Sequence, residues 1–106
     1  MSSRVKRRPR AAGEVFPLSA SSAGDVGVIV RVGAEADDEG LGRSELERRL
    51  LEMGFVEGAR IRVLHEGFIG RDPIAVQLDD MRVALRRREA ADVMVGSLAP
   101  DPGRLA

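Results

Sequence analysis

Apolar residues recur with two different periods along this chain, and the places where the period changes mark its elements. Gly24-Asp25 is a turn signal, and Val26 to Val32 follows as a run rich in β-branched residues that predicts a strand. Gly27 within it marks a bulge or a close backbone approach. Gly33 to Gly42, with Asp37, Asp38 and Glu39, has no apolar period and predicts a solvated loop. Ser44 with Glu47 three places on forms a capping box. Leu46, Leu50 and Met53 then recur at helical spacing, with Leu51 widening the stripe. Gly54 suits the left-handed position just past a helix end, and Phe55 can fold back onto Leu50. A helix of about ten residues is expected. After Gly58 the period becomes two: Ile61 and Val63 alternate with Arg60, Arg62 and Leu64, and Ile74, Val76 and Leu78 with Ala75, Gln77 and Asp79. Met81, Val83 and Leu85 alternate with Arg82, Ala84 and Arg86. Gly67 to Pro73 is expected as a loop and Asp79-Asp80 as a tight turn. Glu89 to Met94 is a short helical turn or a turn leading into a last strand, Val93 to Val95.

The fold class that follows is mainly β: a small antiparallel barrel, closed so that no edge is exposed, with one short α-helix inserted after the first strand. The expected organisation is a disordered basic arm over 1–15, one domain over 16–96, and a flexible tail over 97–106. Pro9, Pro17, Ser19, Ser21 and Ser22 make the whole stretch through Ser22 read as loosely attached, and Pro100-Asp101-Pro102-Gly103 ends structure at the other side.

Composition narrows the chemistry. The 106 residues suffice for one domain. With three Phe and no Trp or Tyr, the core is expected to be aliphatic. Zero Cys excludes a disulfide scaffold, a thiolate zinc site and a cysteine nucleophile, and one His excludes a His-rich metal site. No apolar run reaches about 18 residues and no signal-peptide pattern is present, so a cytoplasmic location is expected. The formal net charge of zero hides an asymmetry. Residues 1–13 carry Arg4, Lys6, Arg7, Arg8 and Arg10 and no acid, while the remainder has 12 bases against 17 acids. The arm is either a solubilising tail or a contact for nucleic acid or acidic lipid. The acidic remainder argues against a folded part that binds nucleic acid generally, which needs clustered cations.

Catalysis finds no support. Asp37-Asp38 and Asp79-Asp80 are adjacent carboxylates that diverge rather than converge, so they read as solvated turns. His65 reads as structural or surface-exposed. Arg86, Arg87 and Arg88 are either a contact for a phosphate or an acidic partner, or a solvated strand end.

Three ordered blocks carry a family resemblance. Leu50-Leu51-Glu52-Met53-Gly54-Phe55-Val56-Glu57-Gly58 resembles the "LLxMGhxxG" run of the FeoA family, small proteins of bacterial ferrous iron uptake. Asp72-Pro73-Ile74-Ala75-Val76 resembles its "DPI-V" stretch, and Ala84-Leu85-Arg86-Arg87-Arg88-Glu89-Ala90 its "hALR-xEA" stretch. Gly24-Asp25 looks like its early "pGd" turn. The resemblance implies an SH3-like barrel, no catalytic residues and no cofactor. It implies a partner, the cytoplasmic G-domain region of the ferrous iron permease FeoB. Domains of this kind also occur fused to metal-responsive repressors, which implies the alternative of a regulatory or nucleic-acid-associated module. The chain departs from the family pattern at Ser21, at Asp80-Met81, and in one extra residue in Gly70-Arg71-Asp72-Pro73. The candidate partner-binding residues are Phe55, Phe68, Ile69 and Arg71, with Arg86, Arg87 and Arg88; no metal ligand is proposed. Phe68-Ile69 is expected either to insert into the core or to meet the partner.

Overall fold

The computed structural model describes residues 10–33 and 41–98, the side chains of 41–44 and of 68 excepted. The acidic stretch 34–40, the first nine residues and the tail from residue 99, for which a loop, a disordered arm and a flexible end are expected, lie outside the described residues.

The β-branched run forms β2 (Val26–Val32), and the period-two segments form β3 (Arg60–Ile69), β4 (Asp72–Leu78) and β5 (Met81–Leu85). A three-residue β1 (Val15–Pro17) precedes them, and β6 (Val93–Ser97) follows a single helical turn, α2 (Arg87–Ala90). The helix α1 (Leu41–Glu52) sits between β2 and β3. All pairings are antiparallel, in the order β1-β6-β2-β3-β4-β5. Gly27 marks a close approach: a Cβ there would lie 2.5 Å from the carbonyl oxygen of Gly96. The bulge in β2 sits further on, between Ile29 and Arg31.

The sheet wraps one core. Ile29, Ile61, Val63, Ile74, Val76, Leu78, Leu85, Val93 and Val95 point into it, as their alternation requires. The core is not purely aliphatic, because Phe16 and Phe55 are also buried in it. Contrary to expectation, the stretch through Ser22 is firmly attached. β1 pairs with β6, Phe16 and Leu18 insert from either side of Pro17, and Ser21 is fully buried. The barrel also differs from a closed ladder: among the described residues β1 and β5 are its two ends. The seam between them is covered by packing, the 3-10 turn Leu18–Ala20 lying against α2.

α1 begins at Leu41 within the described chain, so Ser44 lies in its first turn instead of capping it. Leu50 is fully buried, and Leu46 and Met53 pack on the core, while Leu51 is 48% exposed and does not widen the buried stripe. The helix end matches its reading. Gly54 has φ 107°; its N–H donates to Leu51 O, and the Phe55 N–H reaches back to Leu50 O, both at 3.0 Å. That is the Schellman arrangement. The expected loop at Gly67–Pro73 is instead a long hairpin whose strands run to a two-residue turn, Gly70-Arg71. Both turn residues have positive φ, 64° and 60°, which suits the twist of the flanking strands.

Candidate functional site

The tip of the β3–β4 hairpin, the start of α2 and the turn after β1 meet at one end of the barrel. Glu66, near the end of β3, joins them. Its Oε1 accepts from Arg71 Nε at 3.0 Å and from Arg87 Nη2 at 2.9 Å, and its Oε2 accepts from the Ala23 N–H at 2.9 Å. Arg87 goes further. Its Nε donates to Arg71 O at 2.8 Å, and its Nη1 donates to Ser19 O at 2.8 Å and Ser21 O at 3.0 Å. Its backbone N–H donates to Asp72 Oδ1 at 2.8 Å. One guanidinium thus ties α2 to the turn after β1, to β3 and to the hairpin tip.

This geometry sorts the candidate residues. Phe55 is fully buried beside the helix end, so it is core and cannot anchor a partner from the surface. Arg87 has a side chain only 16% exposed and every guanidinium nitrogen engaged, so it is an internal tie and no docking charge. The side chain of Phe68 lies outside the described residues. Ile69 is 85% exposed at the end of β3, which places it on the surface and out of the core. Arg71 is held by Glu66 but stays largely open to solvent. Arg86 and Arg88 are exposed; the Arg86 backbone N–H donates to Glu89 Oε1 at 2.9 Å, closing the first turn of α2. Since Ile74 pairs with Leu85, Arg86 stands level with the start of β4. Ile69, Arg71, Arg86 and Arg88 therefore share one end of the molecule.

Sequence reasoning missed Glu66 and the two serine carbonyls, because nothing in a linear pattern brings residues 19, 21, 66 and 87 together. It also missed the anchoring of the segment before β1: Arg10 stacks 3.7 Å over the Phe16 ring and donates to Ala20 O at 2.9 Å. The period sets Arg60, Arg62 and Arg82 opposite the apolar residues they alternate with, but their alignment across strands needs the register. Clustered cations do occur on the folded body, despite its overall acidity.

Among the described residues no group of three or more His, Cys, Asp or Glu is placed to hold a metal ion, and His65 is exposed on β3. Asp79 stands in the β4–β5 turn with φ 53°, where its Oδ1 accepts from the Arg60 N–H at 3.2 Å, a structural duty. Among the described residues no helix is long and apolar enough to cross a membrane.

Comparison with known proteins agrees with this geometry. The model of the FeoA domain family matches residues 16–96. A curated relative, the Fe(2+) transport protein A/Fe(2+) transporter FeoB fusion protein of Porphyromonas gingivalis, is 41% identical over 78 residues. That match takes in 74% of this chain but only 8% of the relative. Among solved structures, zinc-complexed FeoA of Stenotrophomonas maltophilia, a prokaryotic SH3 domain protein, is 32% identical. It superposes with a TM-score of 0.60 over 76% of this chain and 88% of its own. A manganese-dependent transcriptional repressor is 25% identical with a TM-score of 0.66, covering 83% of this chain and 44% of the repressor. The zinc belongs to the S. maltophilia structure; the described residues here offer no donor set that fits it. With the family model spanning the whole barrel and the solved FeoA sharing its fold, the chain belongs to the FeoA family.

Proposed function

We propose that the protein is a non-catalytic accessory and regulatory protein of bacterial ferrous iron uptake, acting in the cytoplasm by binding the G-domain region of the permease FeoB. The P. gingivalis relative supports this most directly, since it is named as a fusion of transport protein A with the transporter FeoB. Fusion holds two domains at high effective concentration. On separate chains the same association needs a docking surface. The hairpin end offers one: Ile69 is a protruding apolar side chain, flanked by the exposed Arg71, Arg86 and Arg88. A small interface can take most of its affinity from a few such anchors.

Ile69→Ser tests the reading, because so exposed a residue contributes little to the fold. The expected result is an unchanged melting temperature, weaker capture of the permease's cytoplasmic region, and reduced anaerobic Fe(II) uptake in cells. Capture and uptake both at the wild-type level would overturn this docking surface. The likeness to the manganese-dependent repressor supports a second reading, a regulatory module. A salt-sensitive mobility shift of duplex DNA, lost when Arg4, Lys6, Arg7 and Arg8 are changed to Ser, would favour it over the first.

A further inference from the structure

The outer face of β3, β4 and β5 is cationic, and the strand register shows how. Arg62 pairs with Gln77, and Gln77 with Arg82, so two arginines stand about 10 Å apart across one neutral amide. Arg60, two places earlier on β3, shares their face, and Arg86 continues the line of Arg82 and Ala84 past the end of β5. The alternate residues Ile61, Val63, Val76 and Leu78 are buried, which fixes the direction of the arginines outward. All four arginines are exposed, and among the described residues none has an ion pair or a side-chain hydrogen bond. Ala75 and Ala84 pair in register between them, with side chains too short to screen the charges. Asp79 lies at the border of this face, in the turn.

The charge is segregated along the chain as well. From Arg60 to Arg88 there are seven arginines against four acids, whereas residues 34–59 hold eight acids against three arginines. Arg10 fixes the start of the described chain at Ala20, next to the serine carbonyls that hold Arg87. In sequence, four further bases precede it: Arg4, Lys6, Arg7 and Arg8.

We infer that this face docks on the anionic headgroup surface of a phospholipid bilayer. The arginines are spread over separate strands instead of converging, so they match an extended anionic surface better than one bound phosphate. Single-stranded nucleic acid is bound through aromatic stacking platforms, and the residues named on this face include no aromatic. Reading a duplex takes an element that enters a groove, whereas this is a broad sheet surface. Cations lying along a bilayer each gain from its negative surface potential without needing a fixed geometry.

The test is co-sedimentation of the full-length protein with phosphatidylcholine vesicles, with and without about one-third phosphatidylglycerol. Binding is expected only with the anionic lipid and should weaken as salt rises. The triple change Arg60→Ser, Arg62→Ser and Arg82→Ser should lower partitioning roughly 100-fold, about fivefold per charge, with the thermal melt unchanged. The matching triple change to Lys should retain binding, because a headgroup surface reads charge and not guanidinium geometry. Capture of the soluble permease region without lipid should be unaffected by either, which separates this inference from the docking at Ile69. Any of four results would overturn it: no binding by the wild type, full binding by the Ser variant, lost binding by the Lys variant, or loss only when Arg4, Lys6, Arg7 and Arg8 are neutralised. Displacement from vesicles by duplex DNA or RNA that relies on the same three arginines would assign the face to nucleic acid instead.

Discussion

Arg87 and Arg88 are neighbours of identical chemistry with opposite fates. Arg87 commits its whole guanidinium to Glu66 and to three backbone carbonyls across the barrel seam, while Arg88 faces solvent. Arg87→Met should therefore cost about 3 kcal/mol, leaving the carbonyls of Ser19, Ser21 and Arg71 without this donor and the Glu66 carboxylate with one cation fewer. In a domain this small that lowers the melting temperature by roughly 10 °C or more. Arg88→Met should change stability by no more than about 0.5 kcal/mol. Equal melting temperatures for the two variants would show that the seam does not depend on Arg87. Arg71 poses a different question. Its φ of 60° strains a side-chain-bearing residue, while its pairing with Glu66 is largely exposed and worth little. Arg71→Gly and Arg71→Ala both lose that ion pair, but only glycine relieves the backbone. The glycine variant should be the more stable of the two by about 1 kcal/mol in urea denaturation.

At the scale of elements, periodicity was legible wherever burial is one-sided. β3 and β4 follow the alternation of Ile61, Val63, Ile74, Val76 and Leu78, and the buried side of α1 follows Leu46, Leu50 and Met53. Leu51 misled because one step along a helix turns about 100°, and a helix lying on the flank of a barrel buries only a narrow stripe. The β3–β4 hairpin was missed because Gly70-Arg71 lacks the Asn-Gly signature of such turns. The segment around β1 was missed because Phe16 and Leu18 are too few to show a period. The end of α1 is where local chemistry and packing agree best, and two substitutions test it. Leu50→Ala should cost roughly 2–5 kcal/mol for a fully buried leucine. Gly54→Ala imposes a positive φ on alanine and brings a Cβ to 3.2 Å from Leu78 Cδ2, which should cost about 1–2 kcal/mol. A native-like melt for both would mean that α1 is not docked through this end.

Taken whole, the molecule is a wrapped sheet whose charges are sorted by region, and neither property can be read from a net charge of zero or from local patterns. The placement of β6 between β1 and β2 joins strands far apart in sequence. The arginines of one face are aligned by the β3–β4–β5 register, and Arg87 is drawn inward by the carbonyls of Ser19 and Ser21 after β1. Of the candidate surface, the signs of the charges were legible, but the inward turn of Arg87 and the burial of Phe55 depend on tertiary packing. The same sorting bears on iron. Fe(II) and Zn(II) need several nitrogen or oxygen donors converging on one point. Here the only histidine, His65, is exposed on β3 opposite Ala75, and the described residues hold no group of three or more His, Cys, Asp or Glu able to share an ion. Anaerobic titration calorimetry of the full-length protein with Fe(II), and separately with Zn(II), should show no one-to-one submicromolar binding. A saturable isotherm of that kind would require donors beyond those described and would give the protein a direct hold on the transported ion.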